Sequence, residues 1–250
     1  ERPPGSKKGA DRIDTLSQSF HRCNLGAADL ATHKADDFYN GMPCKVEDIR
    51  KRYDISRTEY VRSNGIKMLI TSFLDLPEKK AKIVAIKGKS GSGKTTLLKK
   101  IIFDFHEKCK IFEFNNFQDA KTSIASQVQQ LAKATNATSI FIFDDAANLE
   151  KHNTIPSEIF SGASGQEQKI LLIFCEHANR WNFLERSNEI RRRAANDYTE
   201  FVLGELDNTE LDQLAGKTVE LEQSGEIVNV MCSLSKEQRI KICSSFSHRL

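Results

Sequence analysis

The amino-acid sequence predicts an α/β fold in which a parallel β-sheet is sandwiched by helices, with a small helical or winged-helix appendage at the C-terminus. From residue 83 onward, short apolar runs alternate with segments whose apolar residues recur at helical spacing. Such alternation is typical of a parallel sheet that helices cover on both faces. After residue 204 the strand-like runs stop and helical patterns follow, which predicts the separate appendage.

The segment ahead of the first apolar run predicts a polar lead and two helices. Residues 1–19 are rich in Pro, Gly, Ser and Lys and offer little to bury. Apolar residues recur at roughly helical intervals over 45–58 and again over 64–76, where Asn64 is placed to cap the second helix. We therefore expect residues 1–56 to form an N-terminal linker with lead-in helices.

Five apolar runs predict the strands of the core, which we expect to span residues 57–204. In chain order they read IVAIK, KIFEFN, SIFIFDD, KILLIFCE and TEFVLGEL. Amphipathic helical patterns lie after the first two strands. Their apolar positions are Leu97, Leu98, Ile101, Ile102 and Phe105 in the first helix, and Ile124, Val128 and Leu131 in the second.

Two capping-box spacings mark helices in the predicted appendage, residues 205–250. Asp207 is followed by Glu210, and Ser235 by Gln238; at this spacing side chains and backbone amides cap each other. The chain does not begin with methionine, and it stops within an amphipathic pattern. We therefore expect a fragment of a longer protein whose appendage is truncated.

The composition argues against several classes of function. With 37 basic and 34 acidic residues, the charge is nearly balanced, and binding to nucleic acid or to a membrane surface is not indicated. The longest apolar runs fall far short of the roughly 20 residues that span a bilayer, and no signal peptide opens the chain. The six cysteines are too widely spaced for a zinc knuckle or a redox pair. We expect a cytoplasmic protein with reduced thiols.

The segment GKSGSGKT, residues 88–95, matches the phosphate-binding loop pattern G-x-x-x-x-G-K-[ST]. Glycines let successive backbone amides converge on phosphate oxygens, Lys94 reaches the terminal phosphates, and Thr95 offers its hydroxyl to Mg²⁺. The strand before the loop and the helix after it are the context that this mechanism requires. These features predict a P-loop NTPase. Its nucleotide-binding residues are expected to be Gly88, Ser90, Gly91, Ser92, Gly93, Lys94, Thr95 and Thr96.

Two acidic residues follow the third apolar strand. Asp144 and Asp145 end the run SIFIFDD, at the end of a parallel strand where ligands bind. Asp144 is placed to hold Mg²⁺ together with Thr95, and Asp145 to orient and deprotonate an attacking water. A helix cap or a solvated turn is the alternative reading for this pair.

The fourth strand also ends in polar residues, which we expect near the γ-phosphate. Asn179 and Arg180 are the candidates to sense that phosphate, with His177 third; an ordinary polar turn is equally compatible. The run 191–193, three consecutive arginines, supplies either an arginine finger for a neighbouring subunit or a solvated basic turn.

With these motifs assembled, the chain resembles the ATPase module of STAND proteins, the signal-transduction ATPases with numerous domains, and in particular those of prokaryotic defence. The resemblance covers about residues 57–250, through RTEYVRSNGIKMLITSFL, the phosphate loop, FIFDDA, ILLIFCEHANRWN and FVLGELDNTELDQL. It departs from the family in lacking a Gly-x-Pro motif in the appendage, and YVRSN lacks the usual Gly-Arg pair.

The resemblance implies a slow ATPase that uses Mg²⁺ and works as a switch. It implies homo-oligomerisation on activation, fused effector and sensor domains outside this fragment, and a role in antiviral or stress signalling. Two alternatives stay open, an AAA-type ring motor and a non-hydrolysing nucleotide-binding scaffold. The sequence does not distinguish ATP from GTP.

Overall fold

Two compact units make up the chain in the computed structural model, which describes residues 19–23, 34–39, 42–115, 123–152, 155–165, 167–220 and 234–249. The first unit comprises Glu1–Asn24, Thr71–Lys87 and Phe105–Phe201, and the second comprises Leu25–Ile70, Gly88–Asp104 and Val202–Leu250. Residues 1–18 of the predicted polar lead lie outside the described residues. The predicted boundaries at residues 56 and 204 stay predictions.

A six-stranded sheet has the strand order β1-β3-β4-β5-β2-β6. Strands β3, β4 and β5 pair in parallel, and β1 pairs antiparallel with β3. The predicted α/β fold with a mostly parallel sheet flanked by helices is therefore confirmed, whereas the appendage stays a prediction. The strands are β1 (Phe20–Arg22), β2 (Ala81–Gly88), β3 (Lys110–Phe114), β4 (Ser139–Asp144), β5 (Ile170–His177) and β6 (Tyr198–Leu203).

Helices occupy most of the remaining described chain. They are α1 (Ala35–Tyr39), α2 (Val46–Arg50), α3 (Thr58–Val61), α4 (Ile66–Asp75), α5 (Lys94–Phe105), α6 (Ile124–Thr135), α7 (Pro156–Ser164), α8 (Ala178–Asn188), α9 (Ile190–Ala194), α10 (Asn208–Glu220) and α11 (Lys236–Arg249), with 3₁₀ helices at Ala146–His152 and Ala195–Asp197. Among the described residues, no helix is long and apolar enough to cross a membrane.

The core strands β4 and β5 are buried on both faces. Successive strand residues point to opposite sides of a sheet, yet every residue of β4 before Asp144 and every residue of β5 before His177 is buried. Stacked rings such as Phe143 on Phe174, with centroids 4.7 Å apart, fill the core of the first unit. Near-continuous apolar strands are what a parallel sheet covered on both faces requires.

Strand β1 was not predicted, because three residues give no usable alternation. Its Phe20 is 3% exposed and meets the rings of Phe114, Phe141 and Phe143 edge-on, at centroid distances of 5.7, 5.4 and 5.7 Å. Burying one such ring contributes roughly 1.5–3 kcal/mol. Tertiary packing therefore recruits a segment that the sequence pattern assigned to the linker.

The prediction that Asn64 caps the second lead-in helix was wrong by one residue. Helix α4 begins at Ile66, and Gly65 is the residue directly before it. A Cβ on Gly65 would lie 2.7 Å from the carbonyl oxygen of Glu59 and 2.8 Å from that of Tyr60. Only glycine allows this close approach of two backbone segments.

Candidate functional site

The phosphate-binding loop leaves β2 at Gly88 and enters α5 at Lys94. Gly91 and Gly93 have φ angles of 73° and 83°, in the left-handed region that favours glycine. A Cβ on Gly93 would meet nothing within 4 Å, so backbone conformation rather than space requires glycine there. At Gly88 lack of space requires glycine, because a Cβ would lie 2.3 Å from Ser92 Oγ and 3.1 Å from the carbonyl oxygen of Leu203.

Lys94 folds back over its own loop. Its Nζ donates hydrogen bonds to the carbonyl oxygens of Gly88, at 3.2 Å, and of Lys89, at 2.7 Å. An ammonium group has three donors, so these two bonds leave one for a phosphate oxygen. Lys94 is also the first residue of the 12-residue helix α5, whose N-terminal end carries a partial positive charge.

The loop also contains a buried hydroxyl that fits a phosphate. Ser92 Oγ is inaccessible to solvent and has no hydrogen-bond partner among the described residues. A buried polar atom without a partner costs roughly 1–3 kcal/mol, which a phosphate oxygen accepting its proton would offset. Of the other predicted loop residues, Ser90 and Thr95 are exposed and Thr96 is half-buried.

The two acidic residues predicted after the third strand of the core lie at the end of β4. Asp144 is its last residue, and its Oδ1 accepts the backbone N–H of Asp145 at 3.2 Å. Asp145 Oδ1 lies 3.0 Å from Arg180 Nη1, and its Oδ2 accepts a hydrogen bond from Asn148 Nδ2 at 2.7 Å. Both oxygens of the predicted base are therefore engaged within the first unit.

His177 and Arg180, at and just after the end of β5, make different contacts. His177 Nδ1 accepts the backbone N–H of Asn179 at 3.4 Å and so caps α8, a structural role. The exposed side chain of Arg180 pairs with Asp145. The structure thus brings two predicted catalytic residues, Asp145 and Arg180, into contact, whereas it gives the side chain of Asn179 no described partner.

A family model decides which proteins this chain is related to. The model described as Novel STAND NTPase 5 matches residues 36–189, which is more than half of the chain. The chain belongs to this STAND NTPase family. The predicted identification as a STAND-class P-loop NTPase is thereby confirmed, while ATP as the nucleotide and a slow rate are not yet established.

Solved structures similar to this STAND NTPase share little sequence with it. A complex of S. cerevisiae Hsp104 with casein has a TM-score of 0.41 at 11% identity, covering 82% of this chain and 40% of the Hsp104 chain. A structure on katanin self-assembly has a TM-score of 0.42 at 15% identity, covering 95% and 76%. The E. coli HORMA:CdnC:Trip13 complex gives 0.43 at 12% identity, covering 91% and 80%. The chain thus spans about two fifths of the length of Hsp104. No curated protein sequence matches it.

Glu176 is a buried carboxylate in the STAND NTPase that the sequence analysis did not select. It is 2% exposed, its Oε1 accepts the N–H of His177 at 2.6 Å, and its Oε2 accepts the N–H of Ala147 at 2.7 Å. Arg180 lies 3.6 Å away. Burial raises the pKa of Glu176 and nearby Asp145 adds to the rise, against the lowering effect of the hydrogen bonds and Arg180. An acidic residue within an otherwise apolar strand was the available signal.

Arg57 is the second residue that sequence reasoning missed. Its guanidinium donates to the carbonyl oxygens of Ser92, at 3.3 Å, and of Gly204, at 2.9 Å. Its Nε lies 3.3 Å from Glu210 and 3.5 Å from Glu59, within ion-pair distance but without hydrogen-bond alignment. The sequence offers no signal that separates Arg57 from the other arginines of the lead-in.

Two of the three arginines at 191–193 form ion pairs within the first unit. Arg191 pairs with Glu185 at 2.7 Å and with Glu200 at 2.9 Å, and its guanidinium lies over the ring of Tyr198. Arg192 pairs with Glu189. A cavity of about 650 Å³ is lined by Lys87, Asn182, Glu185, Glu189, Arg191 and Arg192. The arginine finger that this run would supply to a neighbouring subunit stays a prediction.

Cysteines and acidic clusters offer no metal centre in the described part of the chain. There, no group of three or more His, Cys, Asp or Glu side chains could hold a metal ion, and Cys23, Cys44, Cys109 and Cys175 form no disulfide. Burial raises the pKa of Cys44 and of Cys109 to about 12, so these two thiols stay protonated at neutral pH.

Proposed function

We propose that the chain is an ATP-binding, slowly hydrolysing STAND switch whose nucleotide state controls oligomerisation and a fused effector. One observation carries the nucleotide-binding part. The loop of 88–96 combines two glycines at positive φ, a lysine over the loop and a buried hydroxyl without a described partner. Successive N–H groups in such a loop, followed by a helix N-terminus, form a phosphate site.

The roles of individual residues follow from their chemistry. Lys94 donates to the terminal phosphates, and the backbone of Gly88, Ser90, Gly91, Ser92, Gly93 and Thr96 surrounds the phosphate chain. Thr95 and Asp144 supply a hydroxyl and a carboxylate, the hard oxygen ligands that Mg²⁺ prefers. Bound Mg²⁺ neutralises developing charge on phosphate oxygens. The metal role rests on the motif and on this donor chemistry.

A slow rate is supported by the contacts of the predicted base. Asp145 must release Arg180 and Asn148 before it can orient a water and accept its proton. The Asp145–Arg180 pair is about half exposed, and such pairs contribute about 1 kcal/mol or less. That magnitude favours a reversible restraint over a permanent block. Arg180, with Asn179 as second candidate, would then exchange Asp145 for a phosphate oxygen.

The switching part of the proposal rests on family membership. A terminal phosphate that favours one of two conformations shifts their populations, and its loss removes that bias. We infer that the longer protein carries effector and sensor domains, that it oligomerises on activation in the cytoplasm, and that it acts in antiviral or stress signalling.

Replacing Lys94 tests nucleotide binding. Lys94→Ala removes the ammonium group and is expected to abolish MgATP binding by calorimetry while leaving the circular dichroism spectrum unchanged, because Lys94 contributes charge rather than core volume. Lys79→Ala, at an exposed lysine outside the loop, is the matched control and should bind as the wild type does. Normal binding and hydrolysis by Lys94→Ala would place the site elsewhere.

Steady-state hydrolysis separates the switch from its alternatives. Multiple turnovers per second with a steep dependence on protein concentration would indicate a ring motor. A non-hydrolysing scaffold would leave the hydrolysis rate at background in both the wild type and Asp145→Ala. A slow rate that Asp145→Ala lowers further supports the switch.

A further inference from the structure

Three consecutive residues of the lead-in link the phosphate-binding loop, which Arg57 contacts, to residues 204–210 at the start of α10, all within the second unit. Arg57 joins the loop carbonyl of Ser92 to the carbonyl of Gly204. Thr58 donates its N–H to Glu210 at 2.6 Å and its hydroxyl to Asp207 at 2.8 Å. We call residues 57–59 the lead-in hub.

Glu59 completes the hub, and a second bridge lies beside it. Glu59 Oε1 accepts the N–H of Gly204 at 3.2 Å, so the hub binds both the N–H and the carbonyl of that residue. Lys89 of the loop pairs with Glu205 at 3.2 Å, but both side chains are exposed, and such a pair contributes little. The contacts of Arg57, the buried member of the hub, are therefore the stronger connection.

Charge makes Arg57 the central member of the hub. Its side chain is 8% exposed and that of Glu210 is 3% exposed, and buried charges need partners. Arg57 is the only cation that contacts Glu210 among the described residues, and it also faces Glu59. Its planar guanidinium can bind two carbonyls and face carboxylates at the same time, which a lysine cannot do.

Glu210 carries the connection into the helices. It lies in the first turn of α10 and forms a reciprocal capping box with Asp207, through N–H bonds of 2.8 and 3.0 Å. The next residue, Leu211, packs with Leu206, Leu214, Leu234, Ile240 and Ile242, which joins α10 to α11. Glu210 is thus adjacent in the chain to the buried residue of this apolar cluster.

We propose that Arg57 is a positioning residue that couples the phosphate-binding loop to helix α10, so that nucleotide binding at the loop changes the environment of that helix. The inference rests on the proposed nucleotide-binding function. The carbonyl of Ser92 and the carboxylate of Glu210 contact the same guanidinium, that of Arg57. If the Ser92 peptide moves towards a phosphate, the N–H groups of Arg57 that face Glu210 change. Such coupling works through differential contacts in two states.

Hydrogen exchange at α10 tests the coupling. In the wild type, saturating MgATP is expected to change amide exchange in residues 208–217. In Arg57→Gln the Kd for MgATP is expected to rise by about tenfold or less, the effect of one lost hydrogen bond, and the exchange change at α10 is expected to disappear at saturating nucleotide. Arg57→Lys keeps the charge and should transmit partially, and Glu210→Gln should reproduce the loss.

Arg62→Gln provides the matched control, because Arg62 is an exposed arginine five residues away. It should bind MgATP and transmit as the wild type does. Binding with an undiminished exchange change in Arg57→Gln would overturn the coupling, and complete loss of binding by a folded Arg57→Gln would assign Arg57 to direct nucleotide binding instead. No MgATP binding by the wild type would refute the proposed function, an outcome that the calorimetry of wild-type protein identifies separately.

Discussion

Asp145 occupies a left-handed backbone conformation, with φ of 55°, which residues with short polar side chains tolerate better than others. The conformation turns the chain sharply from β4 into the 3₁₀ helix at Ala146–His152. Local bonds offset the cost, because Asn148 donates its side-chain amide to the carboxylate and its N–H to the carbonyl oxygen of Asp145. Backbone strain at such a position is typical of functional sites. The ion pair with Arg180 adds a further restraint on this residue.

The phosphate-binding loop allows a test of backbone conformation with an internal control. Gly93→Ala is expected to destabilise the loop by about 1–2 kcal/mol, because alanine is strained at positive φ, and to weaken MgATP binding. Gly165→Ala should be neutral, because Gly165 has an equally open surrounding but a φ of −83°. Urea unfolding and calorimetry measure both effects. Equal behaviour of the two variants would show that the positive φ of Gly93 is not required.

At the scale of helices and strands, caps and connections fix where α10 and α11 begin. The predicted capping boxes are confirmed at both helices: Asp207 and Glu210 exchange bonds at α10, and Ser235 and Gln238 exchange bonds of 2.8 and 3.3 Å at α11. In the part of the chain that the structure describes, only the α10 box has a further bond to the lead-in, from Thr58. A cap that also holds a distant segment stabilises more than its own helix.

The difference between the two boxes predicts different costs of removal. Asp207→Ala is expected to lower the urea midpoint more than Ser235→Ala, because it breaks the bond from Thr58 as well as the cap of α10. Bonds from the Glu210 N–H and the Thr58 hydroxyl lower the pKa of Asp207, so at neutral pH the carboxylate that is lost is fully ionised. Similar midpoints for the two variants would show that the bond between Thr58 and Asp207 contributes nothing.

For the whole molecule, the sequence predicted the parallel sheet, the phosphate-binding loop and the STAND family, because each depends on local pattern. Uninterrupted apolar runs of four to six residues, at 83–86, 140–143 and 170–175, predict the buried strands β2, β4 and β5. Contacts across long sequence distances escaped prediction: Phe20 with Phe114, Arg57 with Gly204, and Asp145 with Arg180. These depend on which side chains the fold brings together, and no periodicity encodes that.

The pH dependence of global stability provides a test of the buried Glu176. Its folded-state pKa is raised above the ordinary 4.5, mainly by burial, so the folded state binds the proton more tightly than the unfolded state does. Between the ordinary and the raised value, the free energy of unfolding therefore falls as pH rises. Glu176→Gln cannot titrate at this position, so its stability should decline less than that of the wild type as pH rises from about 5 to 7.

Urea unfolding at several pH values measures the slope of stability against pH for both proteins. Glu150→Gln, at an exposed glutamate, is the control and is expected to keep the wild-type slope. Identical slopes in all three proteins would mean that Glu176 is ionised as readily in the fold as in the unfolded chain, and that its two N–H bonds fully compensate its burial.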